Sequence, residues 1–127
     1  MGDFRKLRAW QRSQDLVEEI YRTTRSFPAA EKYGLSAQMR RAAVSVSANL
    51  AEGCGRMGDN EMRRFVRLSL GSLSELECEL LLAGKLQLVE GEVSRDLLLN
   101  IGSLRGMLQR LHRTLPASAT NPLDPRP

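Results

Sequence analysis

Leu97-Leu98-Leu99-Asn100-Ile101-Gly102-Ser103-Leu104-Arg105-Gly106-Met107-Leu108-Gln109-Arg110-Leu111-His112-Arg113-Thr114-Leu115 is the stretch whose reading decides the fold class. Within it Leu97, Ile101, Leu104, Leu108, Leu111 and Leu115 recur at intervals of 4, 3, 4, 3 and 4. That spacing keeps all six on one stripe of a helix of about 3.6 residues per turn, whereas a strand would send alternate residues to opposite faces. A helix with one apolar stripe must bury it against something, and the pattern is a heptad seam of the kind that packs helix on helix.

Working back toward the N-terminus, three further segments carry the same period. Leu7, Trp10, Val17, Ile20, Tyr21 and Thr24 recur at threes and fours with Gln14 filling the gap. Leu35, Met39, Ala42, Ala43, Val46 and Leu50 form a second stripe, and Met62, Phe65, Val66, Ser69, Leu73, Leu76, Leu80 and Ala83 a third. Breakers separate them: Phe27-Pro28, the run Gly53-Cys54-Gly55-Arg56-Met57-Gly58, Glu90-Gly91 and finally Pro116. Ser36 and Asp59 stand where N-caps belong. Helices are therefore expected at about 5–26, 36–53, 59–87 and 92–115. Short connections favour antiparallel neighbours, so the expected fold is all-α, an up-down-up-down four-helix bundle over residues 1–115 with a disordered Pro-rich tail at 116–127.

Composition agrees with that class. Apolar residues make up 42% of the 127-residue chain but aromatics only 5%, so Leu, Val and Ala must fill the core, which suits helices better than a sheet sandwich. Cys54, Cys78 and the single His112 barely supply three soft ligands, too few for a zinc site, and neither a metal nor another cofactor is expected. No stretch approaches the ~20 apolar residues of a membrane span. The charged start from Met1 to Trp10 carries no secretion signal, and a cytoplasmic protein with reduced cysteines is expected. Gly53, Gly55 and Gly58 match G-x-G-x-x-G literally, but a helix rather than a strand precedes them, so they read as an interhelical turn.

Two polar stripes run beside the apolar ones. At about 100° per residue, Gln38, Arg41, Ser45, Asn49 and Glu52 line one flank of the second helix, and Ser72, Glu75 and Glu79 the matching flank of the third. Short hydrogen-bonding groups with one arginine and three glutamates suit a half-buried structural network, in which Arg41 is expected to pair with Glu75 or Glu79. A paired-carboxylate catalytic site is the rival, but no histidine, nucleophile or metal set accompanies it, and no enzyme is expected. On the other side of the second helix Val44, Ala48 and Ala51 are small and apolar where a surface helix carries charge, which points to self-association.

The net charge of +4 comes from 19 Lys and Arg against 15 Asp and Glu, and all but Lys6, Lys32 and Lys85 of those bases are arginine. Arg5, Lys6, Arg8 and Arg12 gather at the start of the first helix, and Arg56, Arg63, Arg64 and Arg67 around the start of the third. Bases at a helix N-terminus oppose the helix dipole, so a sequence that keeps them there has a use for them, and arginine forks readily onto phosphate. The third-helix arginines face away from the leucine stripe and are expected to be exposed. These eight residues are the candidate contacts for RNA or DNA. No aromatics interleave with the arginines as a single-strand stacking platform would need, so charge alone supports weak, sequence-independent binding with a steep salt dependence.

The motifs Phe27-Pro28, Glu31, Tyr33-Gly34-Leu35, Gln38-Met39-Arg40-Arg41-Ala42-Ala43-Val44-Ser45, Asn49, Ala51-Glu52-Gly53 and Gly71-Ser72-Leu73-Ser74-Glu75-Leu76-Glu77 resemble those of the four-helix-bundle proteins encoded by intervening sequences in bacterial 23S rRNA genes. The resemblance covers about residues 4 to 114, with Ser47 where relatives often carry proline. It implies a bundle that assembles as a ring, commonly a homopentamer. It also implies kinship with the accessory proteins of diversity-generating retroelements, which bind nucleic acid and a reverse transcriptase. The alternative is a protein–protein interaction scaffold with no nucleic-acid role.

Overall fold

The computed structural model describes residues 2–116, so the tail expected at 116–127 lies, beyond Pro116, outside the described residues. Four helices make up the fold, α1 (Arg8–Thr24), α2 (Leu35–Gly55), α3 (Asp59–Lys85) and α4 (Gly91–Thr114), with no strand among the described residues. Short 3-10 turns precede α1 at Phe4–Lys6 and α2 at Ala29–Glu31.

Helices consecutive in the chain touch, α1 closes on α4, and the diagonal pairs make no close approach, which is the cross-section of a four-helix bundle. Side-chain bonds give the offsets. Gln14 reaches Ser47 and Arg40 reaches Thr24 between α1 and α2. Ser45 meets Ser72 while Ser69 meets Val46 between α2 and α3. Arg105 meets Glu77 and Arg63 meets Leu115 between α3 and α4. In each pair the residue numbers rise on one helix as they fall on the other.

The three stripes expected for α2, α3 and α4 are the core. Every residue named for the second and third helices is buried, as are Leu97, Ile101, Leu104, Leu108 and Leu115 of the fourth, with Leu111 half-buried. Fully burying one such leucine or isoleucine stabilises the fold by about 1.5–3 kcal/mol, so these stripes dominate the stability.

The first helix corrects its expectation by a turn of one residue. Its buried stripe is Ala9, Ser13, Leu16, Ile20 and Thr24, whereas Trp10 and Val17 are half-buried and Tyr21 is exposed. Two polar residues sit in that stripe because each satisfies its hydroxyl locally: Ser13 Oγ donates to Trp10 O at 2.6 Å and Thr24 Oγ1 to Ile20 O at 2.7 Å. Trp10 packs edge-on against Phe4 at 5.0 Å, and Tyr21 lies under the Arg40 guanidinium, 4.5 Å from its ring centre.

The helix ends also differ from expectation. α1 starts at Arg8, later than residue 5, because Asp3 accepts the Arg5 N–H at 3.0 Å and holds Phe4–Lys6 in a 3-10 turn. Ser36 does not cap α2; it is buried inside it, and the Glu31 carboxylate takes the Leu35 N–H at 3.1 Å instead. Asp59 lies in the first turn of α3, where its charge suits the helix dipole, and the cap position falls on Gly58 at φ 94, a left-handed conformation that glycine adopts freely. α3 stops at Lys85 because Gln87 turns left-handed at φ 59 and the Leu88 N–H closes back on Ala83 O at 2.9 Å.

Candidate nucleic-acid interface and the α2–α3 seam

The polar flanks of α2 and α3 meet, though not through the expected ion pair. The Ser45 and Ser72 hydroxyls bond across the seam at 2.8 Å, and Asn49 Nδ2 donates to Ser45 O at 2.9 Å and Ser45 Oγ at 3.1 Å. Ser69, placed by its spacing on the apolar stripe, adds a fully buried bond to Val46 O at 2.8 Å. Arg41 is exposed and forms no salt bridge with Glu75 or Glu79, which corrects the expected pairing: it stands with Ser45 and Glu75 around an open groove of about 710 Å³. Gln38 is exposed, and Glu52 pairs with Arg56 at 2.8 Å.

Glu79 is the exception in this seam. It is 7% exposed, and its Oε1 has no hydrogen-bond partner. Burial first, then the negative charge of Glu75, push its carboxyl up to about 7 against the pull of Arg41. A carboxyl that stays protonated near neutrality is how an acid can sit in a helix seam without a cation.

Val44 and Ala48 are exposed and Ala51 is half-buried, so the second side of α2 does carry apolar surface outside the bundle. α3 continues it along a line the sequence reading passed over. Leu68, Leu82 and Leu86 are exposed on the same helix line as Glu75.

Of the eight candidate phosphate contacts, six have a partner within the chain, Arg64 and Arg67 only at longer range. Arg5 pairs with Asp3 at 2.9 Å and Arg56 with Glu52 at 2.8 Å. Arg12 Nη2 donates to Ser103 Oγ on α4 at 3.2 Å. Arg63, expected to be exposed, is half-buried and caps the far end of α4, donating to Leu115 O at 3.2 Å and Pro116 O at 2.7 Å. A helix leaves its last carbonyls unsatisfied, and Arg63 Nη1 takes the C-cap carbonyl of Leu115 and the one after it while Nη2 is held by Asn60 Oδ1 at 2.8 Å. Arg63→Ala should therefore lower stability by about 1–2 kcal/mol in urea denaturation, with Arg63→Lys losing less; no loss would show that the α4 end holds without it.

All of the eight but Arg63 are exposed, and Lys6 and Arg8 have no side-chain partner among the described residues. Arg64 reaches Glu61 only at 3.7 Å, and Arg64 and Arg56 flank the Phe65 ring at 5.1 and 5.3 Å. Such an exposed pair holds its arginine weakly and leaves it available to a ligand.

The two arginine groups lie on diagonal helices, yet α4 joins them. Its last turns touch α1 through Ser103 and Arg12, and touch α3 through His112 and Arg67, whose nitrogens stand 3.3 Å apart. α4 also contributes Arg110 and Arg113, both exposed; bases near a helix C-terminus suit the dipole, so nothing in the sequence pattern marks them as ligand contacts. One end of the bundle thus collects the bases of three helices.

The glycine run is helical rather than a loop at its start: Gly53 is buried in α2, and a Cβ built there would fall 2.9 Å from both Met62 Sδ and Phe65 Cβ. Cys54 is buried beside it, and burial pushes its thiol up, as befits a packing residue rather than a nucleophile. Among the described residues no His, Cys, Asp and Glu cluster forms a metal-binding group, and no helix is long and apolar enough to cross a membrane.

No curated protein matches the chain. Among solved structures, a protein of unknown function from the S23 ribosomal protein family of Bacteroides thetaiotaomicron superposes with a TM-score of 0.75 at 16% identity, over 84% of this chain and 99% of that one, a likeness of fold. The model of the 23S rRNA-intervening sequence protein family matches residues 5–110, nearly the whole bundle from the first basic turn to Arg110. With the seam of Ser45 and Ser72, the leucine core and that match all within the same helices, the chain belongs to the 23S rRNA-intervening sequence protein family.

Proposed function

We propose that this chain is a non-enzymatic, homo-oligomeric accessory protein that binds RNA or DNA through its basic end, with a reverse transcriptase as protein partner where it serves a retroelement. In this reading the bundle is antiparallel, up-down-up-down, which the opposed numbering of its cross-helix bonds supports. Subunits close into a ring of five through Val44, Ala48 and Ala51 of α2 and the exposed leucine line of α3. The observation that carries the proposal is the gathering of Arg8, Arg12 and Arg110 around one cleft, with Arg67 of α3 set against His112 of the same α4. A ring would repeat that patch in every subunit, and the summed field of clustered charges exceeds what a net +4 per chain suggests.

Size exclusion with light scattering at low salt, with and without a mixed RNA, tests it. The expected result is a ring-sized oligomer that shifts with RNA and falls apart in Val44→Glu. Changing Arg64 and Arg67 together to Ala should weaken RNA binding by about tenfold or more and lower the salt slope by about two. Salt-insensitive binding, or unchanged binding in that double variant, would count against the nucleic-acid role. A monomer would sink the self-association. The exposed Leu81 and Leu99, which lie off the α3 line the ring would cover, favour a second reading, an interaction scaffold for a protein partner, and an oligomer indifferent to RNA would select it.

A further inference from the structure

Between α1 and the second half of α4 runs an open cleft of about 440 Å³. Its rim carries Arg8 and Arg12 from α1 and Arg110 from α4, while Leu7, Met107 and Leu111 form its apolar wall. None of the three arginines is ion-paired among the described residues. Arg12 is aimed across the cleft by its bond to Ser103. Guanidinium groups without a carboxylate partner around a hollow of this size call for an anion. The apolar wall calls for a ligand that also has an uncharged face.

We propose that this cleft is a single-strand nucleic-acid site, in which Arg8, Arg12 and Arg110 hold phosphates of one strand and Leu7, Met107 and Leu111 take the face of one nucleotide. The inference rests on the nucleic-acid reading above and narrows it to a strand type and a place. Arg8 and Arg12 stand one helical turn apart, about 6 Å along the axis, a spacing that neighbouring phosphates of a flexible strand can match. Arginine suits this because its fork grips two phosphate oxygens at once. A duplex keeps its bases stacked inside and would meet the rim with phosphates while leaving the apolar wall wet. A single strand can turn a sugar or base into the hollow, where burial against Leu7, Met107 and Leu111 stands in for the aromatic stacking this cleft lacks. The apolar wall is aliphatic, and of the two hydroxyls that line the cleft Ser103 is already bonded to Arg12 and Thr114 Oγ1 faces Leu111 O, so the site discriminates strandedness more than sequence.

The test is fluorescence anisotropy of the full chain with a fluorescein-labelled short oligothymidylate at several salt concentrations. Arg110→Ala should weaken binding about tenfold and lower the salt slope by about one. Ser103→Glu, which sets a carboxylate against Arg12 at an exposed position, should weaken it comparably without removing an arginine. Arg95→Ala takes the same charge from the other end of α4, about 22 Å away, and should change binding less than about twofold. Unlabelled duplex of equal phosphate content should compete at least about tenfold more weakly than the single strand. Equal losses in Arg110→Ala and Arg95→Ala, or duplex or polyglutamate competing as well as the single strand, would overturn the cleft site while RNA binding by the wild type kept the broader reading standing. Failure of the wild type to bind any nucleic acid would overturn both. Thermal melts of each variant by circular dichroism, matching the wild type, attribute the losses to the site rather than to unfolding.

Discussion

Glu79→Gln should leave stability at pH 5 within about 1 kcal/mol of the wild type and raise it by about 3 kcal/mol at pH 8. The physical argument is proton linkage. In the unfolded chain the Glu79 carboxyl titrates near 4.5, and in the folded chain it is pushed up to about 7, by burial first and by Glu75 second. Between those two values the folded state keeps a proton that the unfolded state has lost, so stability falls as pH rises. Below 4.5 the advantage of the protonated acid is fully present, and above about 7 it is gone. At about 1.36 kcal/mol per pH unit over that interval, the ionised carboxylate costs about 3 kcal/mol. Arg41 of α2 pulls the other way but stands exposed, where water screens it. Glutamine keeps the shape and a donor toward Glu75 and has nothing to ionise. Urea denaturation of both proteins at the two pH values decides the matter. Parallel pH curves for the two would mean that Glu79 is not held protonated in the seam.

The second large effect contrasts two glycines that lie two residues apart. Gly53→Val should lower stability by about 3 kcal/mol, whereas Gly55→Ala should raise it by up to about 1 kcal/mol. At Gly53 an added Cβ meets Phe65 Cβ and Met62 Sδ, both at 2.9 Å. The methionine tip can swing aside, but Phe65 Cβ is tied to the backbone of α3, so the α2 and α3 helices must part where they pack closest. Overpacking of a formed core costs about 1–3 kcal/mol, and a β-branched side chain adds rotamer restriction within the helix. Gly55, in the last turn of α2, has open space around the same built atom. Alanine there only removes glycine's excess freedom in the unfolded chain. Equal effects at the two positions, read from thermal melts, would mean that the α2–α3 approach is not tight at Gly53.

Both predictions come from places where the sequence was read differently. The glycine run reads as a turn because Gly53, Gly55 and Gly58 cluster there. Only the close approach of α3 explains why the first of them is glycine. Glu79 reads as half of an ion pair with Arg41, since the two helix flanks face each other. Whether a guanidinium actually reaches a carboxylate depends on side-chain reach and on water, and Arg41 stays in the groove with Glu75. Arg63 reads as a ligand contact because it points away from the leucine stripe, and the structure spends it on the Leu115 and Pro116 carbonyls.

What the sequence determined by itself is what a repeat of about 3.6 residues can encode: four helices, and the buried stripes of α2, α3 and α4, with the Ser45 and Ser72 flank beside them. Periodicity is a property of one segment, and it survives into the fold because a stripe of leucines has only one way to leave water. α1 was out by one residue for the same reason. Its stripe is Ala, Ser and Thr as much as Leu and Ile, so its buried face is chosen by the partners that pack against it and not by its own hydrophobicity. The rest was decided by tertiary structure. The capping of α4 by Arg63 and the cleft shared by Arg8, Arg12 and Arg110 join residues on different helices, and the isolation of Glu79 is the lack of such a partner across the seam. Which side chains meet across helices is set by the rotation and offset of each helix against its neighbours, and those are fixed only when all four stripes are buried together.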